Sequence, residues 1–340
     1  MIKSKKEFYK NTLYLGIVVI IFAGLMTVIG TGCGGSGGGG GGNDEPEAAT
    51  QAKVDQENVD ASLEFITETV PVCSIEERAA SRSSAATAPA KTVRSVIKIA
   101  KELMEQIEFS YHARSTRDRS IRAEETSEHA GDCGGLLTLT SNENDATGNF
   151  TVSVVFDDFC LEPDETTVSV DGEIDVSGNT DTETDDITSI EADSNGISIV
   201  EGDESYTITF DVSATKTGNQ TIINVPSFSV KDESTGETFI ITNLIITATE
   251  GDTTTQVQIT GRFTHSEDGY VDITTPQTLV VNNEGEITEG KLKFSGADNT
   301  YILLTSTGND NFDVEADIDG DGGIDSEECL DCSDFDIEDL

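Results

Sequence analysis

The chain has 340 residues, with 65 acids against 20 bases and a formal net charge of −45. So acidic a surface repels phosphates and sets DNA and RNA aside as partners, while it collects cations and tolerates salty water. The length suffices for one large domain or two modest ones. Aromatic residues make up 6% and tryptophan is absent, a composition that can mean disorder, which the β-patterned second half argues against.

Lys3, Lys5, Lys6 and Lys10 precede an apolar run from Leu13 to Ile29, and small residues lead into Cys33. Charged, apolar and small in that order is an export signal, and the lysines favour the cytoplasmic side. The stretch Gly30-Thr31-Gly32-Cys33 resembles the cleavage site of bacterial lipoproteins, with Gly30 where an aliphatic residue is usual. The resemblance implies a signal peptide over 1–32 and a lipid on Cys33. Gly34 follows that cysteine where an aspartate would resemble an inner-membrane retention signal, so the implied address is the outer membrane. The alternative is an uncleaved membrane helix, because the apolar stretch is near the roughly 18-residue lower limit for a span. Either way the body is exported.

Residues 33–50, almost all glycine and then acidic, read as a tether. Gly34-Gly35-Ser36-Gly37-Gly38 matches a hydrolase pattern only by low complexity, for no strand precedes it. From 51 to 130 the expectation is helical. Val59, Leu63, Ile66 and Val70 recur at helical spacing before Pro71, and Ser81 to Ala90 is loop-like. A stronger apolar stripe then runs through Val93, Val96, Ile97, Ala100, Leu103, Met104 and Ile107, and it must bury itself against a core. Arg114, Arg117, Arg119 and Arg122 follow, diluted by Asp118, Glu124 and Glu125, and read as a solvated extension rather than a headgroup-binding patch.

Over 131–316 the period becomes two. Phe150, Val152, Val154 and Phe156 alternate with Thr151, Ser153, Val155 and Asp157, and Val168, Val170, Ile174 and Val176, like Tyr206, Ile208, Phe210 and Val212, alternate with polar neighbours. Further runs occupy Phe239 to Ala248, Thr255 to Phe263, Lys291 to Phe294 and Phe312 to Ile318. Turn clusters are expected at Asn142 to Asp145, Asp193 to Gly196, Thr217 to Asn219 and Glu233 to Gly236. Strands rich in Thr, Val and Ile, spaced too closely for crossover helices, give a mainly β, antiparallel meander. It closes either as a sandwich or as a curved open sheet, a half-barrel around the preceding amphipathic helix.

Besides Cys33 there are five cysteines: Cys73, Cys133, Cys160, Cys329 and Cys332. Cys133 and Cys160 lie equally far from a midpoint at 146.5, inside the expected Asn142 to Asn149 loop, so a cross-strand disulfide is geometrically natural. Cys329-x-x-Cys332 reads as a small structural disulfide, leaving Cys73 odd. The pattern Cys-Gly-Gly, hairpin, Phe-Asp-Asp-Phe-Cys resembles one in uncharacterised Gram-negative lipoproteins and brings no activity with it.

The acidic tail, 317–340, opens on a sharper motif. Asp317, Asp319, Asp321, Gly323, Asp325 and Glu328 fall on positions 1, 3, 5, 7, 9 and 12 of a loop that resembles the calcium loops of EF-hand proteins. Gly322 stands at position 6, where the backbone must bend. A glycine at position 7 and the short exit segment depart from the pattern, so a hairpin tip is the alternative. His112, His129 and His265 stand in charged or turn contexts without a distinctive nucleophile, and the chain is read as having no catalytic activity. The expectation is a lipid-anchored envelope module for binding or structure, calcium-stabilised; the alternative is a carrier holding a lipid or apolar ligand in a curved sheet.

Overall fold

The computed structural model describes Gln51 and residues 125–330, apart from 145, 162–166, 183–186, 203, 267–268, 284–285 and 309–310. The expected signal peptide, Cys33, the tether, the apolar stripe through Val93 and Ile107, Cys73, His112 and Cys332 lie outside the described residues. Within them the chain is mainly β, an open antiparallel meander. The helical expectation for 51–130 is corrected at its end, because Glu125–Ala130 form strand β1. Six residues are too few to repay helix nucleation. The next strand offers them a full ladder, from Glu125 opposite Ser141 to Ala130 opposite Leu136.

The chain divides into two compact units. The larger holds β1, β2 (Gly134–Asn144), β3 (Asn149–Leu161), β4 (Val168–Thr180), β5 (Ile187–Glu201), β6 (Glu204–Thr217), β7 (Gln220–Asp232), β8 (Thr238–Glu250) and β9 (Thr254–His265). It also takes β10 (Gly269–Asn282) from Asp272 onward. From β1 to β9 each strand pairs antiparallel with the next. The alternation of Thr, Ser and Asp with Val, Ile and Phe decides which side each residue takes. One row buries Leu137, Leu139, Val154, Phe156, Ile197, Ile199, Tyr206, Ile208, Phe239 and Ile241. The other row carries Asp171, Glu173, Asp175, Glu191, Asp193 and Asp211 into solvent. Each fully buried side chain of this size contributes about 1.5–3 kcal/mol.

Bulges interrupt several of the ladders near mid-strand. In β3, Asp157 and Asp158 separate Phe156 from Phe159, a spacing of three that would send the two rings to opposite faces of a regular strand. Asp158 adopts φ 48° and the register shifts, so both rings are buried, with centroids 6.2 Å apart. Corresponding shifts occur between Ser194 and Ile197 in β5, between Asp211 and Ser213 in β6, and between Thr242 and Ile245 in β8. Pro226 of β7 lies beside the shift, between the residues that pair with Ser213 and Asp211, and Asn243 of β8 takes φ 53°. A proline with no N–H to offer fits where the ladder is already broken. Bulges bend the strands that carry them.

The smaller unit contains, among the described residues, Gln51, the start of β10, β11 (Ile287–Ser295), β12 (Tyr301–Gly308), β13 (Asn311–Asp317) and β14 (Ser326–Leu330). The last four pair in sequence, antiparallel. Leu292, Phe294, Ile302, Val314 and Ala316 form its buried row. The tail assigned to 317–340 thus contains a strand, with Cys329 opposite Asp313 and Glu328 opposite Val314.

Candidate functional site

The loop between β13 and β14 places the first carboxylate of the acidic motif at the end of a strand. Asp317 is 1% exposed, although it is ionisable, because it ends β13 opposite Tyr301. Its oxygens are satisfied locally: Oδ1 accepts the N–H of Gly320 at 2.6 Å and Oδ2 that of Gly322 at 2.9 Å. The loop turns back through Gly320 at φ 78° and Gly322 at φ 88°, backbone angles that residues with a Cβ adopt at a cost. A Cβ on Gly320 would also collide with the carbonyl oxygen of Asp298, in the short 3₁₀ turn Ala297–Asn299. From the far side Asp325 Oδ2 accepts the N–H groups of Ile318 at 2.7 Å and Asp319 at 3.1 Å.

Asp317, Asp319 and Asp325 therefore converge, each with one carboxylate oxygen within 4.8 Å of the others. Two oxygens bound to one calcium ion at 2.3–2.6 Å stand at most about 5 Å apart, so the spacing fits a hard divalent cation. Each carboxylate also has lone pairs beyond those used by the N–H groups. The cluster could hold a metal ion. Of the six expected ligands, these three are brought together. Asp321 accepts the N–H of Gly323 at 2.6 Å, and Gly323 is exposed. Position 328 lies three residues beyond Asp325 along β14, so the exit from the loop is a strand and the whole is a hairpin connection.

Beside the cluster, Lys293 Nζ sits 4.2 Å from the centre of the Tyr301 ring. Burial pushes the Tyr301 hydroxyl above the usual tyrosine range, and the negative charges of Asp317 and Glu315 push the same way.

At the foot of the β2–β3 hairpin, Cys133 and Cys160 form a disulfide with Cα atoms 5.2 Å apart. From Leu136 opposite Asp157 to Asn144 opposite Asn149, every pair is centred on 146.5, as the cysteine positions require. The two halves of the motif meet here. Gly135, at φ 70°, lies against the carbonyl of the bulged Asp158, and a Cβ on it would overlap that group. Cys-Gly-Gly and Phe-Asp-Asp-Phe-Cys are complementary parts of one packed corner.

Sequence reasoning missed a second feature, on the polar row of the larger unit. Asp175 of β4 pairs directly with Asp193 of β5, which pairs directly with Asp211 of β6. Asp175 and Asp193 also line a cavity of about 370 Å³ with Thr140, Asn142, Ser153 and Ser177. Val152 and Val176 share the lining, so its walls mix apolar side chains with hydroxyl, amide and carboxylate groups. Hairpin arithmetic could have found the ladder, since Asp193 is 18 residues from each partner and the midpoints, 184 and 202, fall between the paired strands.

His129 stands on β1 and His265 ends β9 opposite Phe239. No protein-family profile, curated protein or solved structure matches the chain.

Proposed function

We propose that the chain is a lipid-anchored module of the bacterial cell envelope, with a binding or structural role, and that the β13–β14 loop takes calcium. The convergence of three carboxylates within 4.8 Å of one another carries the metal reading. The donors are all hard oxygens, which suits calcium rather than a thiolate- or imidazole-seeking metal. With few protein ligands and an open exit, the affinity belongs to the weak extracellular class, about 10⁻⁴ to 10⁻³ M. The anchor rests on the leader that ends in Cys33, and the outer-membrane address on Gly34. The reading assigns no catalysis. In this role the acidic sheet is a solvated surface whose ligand is a cation or an envelope partner.

Calcium binding is tested by melting temperature. At 10 mM calcium and a Kd of about 1 mM the gain is about 1.4 kcal/mol, or roughly 3–6 °C for a body of this size. Asp317→Asn should abolish the shift. A melting temperature unmoved by calcium in the unsubstituted protein would retire the metal. Mass spectrometry of the mature amino terminus tests the anchor, which requires a diacylated cysteine at position 33.

A further inference from the structure

Gln51 is the point at which the chain leaves the glycine-rich segment and meets the folded body. It forms a parallel bridge with Tyr270, at the start of β10, and donates its Nε2–H to the carbonyl oxygen of Ser295 at 3.2 Å. Ser295 is the last residue of β11 and pairs with Tyr301, the first of β12. Tyr301 in turn pairs with Asp317, the last of β13. Gln51 and the carboxylate loop are therefore fixed to the same end of the smaller unit, two ladder steps apart. The 3₁₀ turn Ala297–Asn299, against which Gly320 packs, continues directly from Ser295.

We infer that the loop end of the smaller unit faces the bilayer, and that the headgroup layer is the surface it meets. The inference rests on the lipid-anchor reading above. Eighteen residues separate Cys33 from Gln51. A chain of that length reaches at most about 60 Å. β12 has eight residues, about 26 Å end to end, so the opposite end of the unit lies farther from Gln51 by about that length. Anchoring through Gln51 thus brings Asp317, Asp319 and Asp325 nearest the membrane. Unaided, those charges are repelled by anionic headgroups.

The test uses the full lipidated chain in uncharged vesicles of phosphatidylethanolamine and phosphatidylcholine, which lack that repulsion, carrying a headgroup nitroxide quencher. A fluorescent non-natural residue replaces either Asp298, at the loop end, or Thr307, near the far end of β12; both positions are exposed. Quenching at 298 should exceed that at 307 at least twofold, and Gln51→Pro, which removes the bridge, should erase the contrast while circular dichroism is unchanged. Equal or reversed quenching in protein that co-sediments with the vesicles would overturn the orientation and leave the anchor standing. Failure to co-sediment would overturn the anchor and the orientation with it.

Discussion

The aspartate ladder gives a sharp prediction because it sets like charges directly opposite one another on three adjacent strands. Asp193 faces Asp175 on one side and Asp211 on the other. Charges about 5.5 Å apart in water repel by about 0.8 kcal/mol per pair. Directly opposed pairs in sheets cost about 0.2–1 kcal/mol. Asp193→Asn keeps the shape of the side chain and removes both repulsions, so it should stabilise the larger unit by about 1 kcal/mol at low salt, raising its melting temperature by about 2–4 °C. The Debye length falls from about 10 Å at 0.1 M salt to about 3 Å at 1 M, so the gain should nearly vanish at 1 M sodium chloride. Glu191→Gln is the internal control, since Glu191 is paired with Ser177 and Ser213 and should gain much less. In an Asp175→Asn, Asp211→Asn background the effect of Asp193→Asn should disappear, as a double-mutant cycle requires. Urea denaturation with chelator present measures all of these. The reasoning fails if Asp193→Asn gains no more than Glu191→Gln at 20 mM salt, or if its gain survives intact at 1 M.

The Cys133–Cys160 disulfide spans 27 residues, so Cys133→Ser with Cys160→Ser should cost about 3.5 kcal/mol by loop entropy, read from urea midpoints. Gly135→Ala should cost more than Gly134→Ala, because a methyl at 134 meets open space whereas one at 135 overlaps the Asp158 carbonyl; equal midpoints would dispose of the packed corner. For Asp232 burial raises the carboxyl pKa, but hydrogen bonds from Ser234, through side chain and backbone, and from Thr235 outweigh it and hold it below the usual range. A depressed folded value means that the stabilisation is complete above the unfolded pKa of about 3.9 and is lost as pH falls through the folded one. Asp232→Asn should therefore cost about 0.5 kcal/mol at pH 7, allowing for solvent screening, and nothing near pH 2; a cost that does not change with pH refutes it.

Much of the sheet was legible because alternation is a local signal. The runs around Phe150, Tyr206 and Phe239 became β3, β6 and β8, and the turns at Thr217 to Asn219 and Glu233 to Gly236 fell where expected. The Asp193 to Gly196 cluster did not become a turn. It lies inside β5 as a bulge, because Asn-Gly supplies the same backbone freedom to either and only the register with Phe210 and Ile208 decides between them. The turn that does end β5 follows at Gly202. β10, whose pattern is broken by Pro276, and β1, whose residues look helical, were hidden for the same reason: partners chose the structure. At the candidate site the sequence supplied ligand spacing, but not which oxygens meet. Asp319 reaches the cluster while the intervening Asp321 turns to Gly323, which depends on the left-handed bends at Gly320 and Gly322.

Pairing each strand with the one just made has a kinetic corollary. From β1 to β9 every ladder joins strands that follow one another in sequence, so contact order is low and no strand has to wait for a distant partner. A chain threaded amino end first through a narrow channel could zip up as it emerges, each new hairpin covering the edge left open by the last. The acidic residues that cost the finished sheet some stability would meanwhile keep the growing edge from capturing other chains.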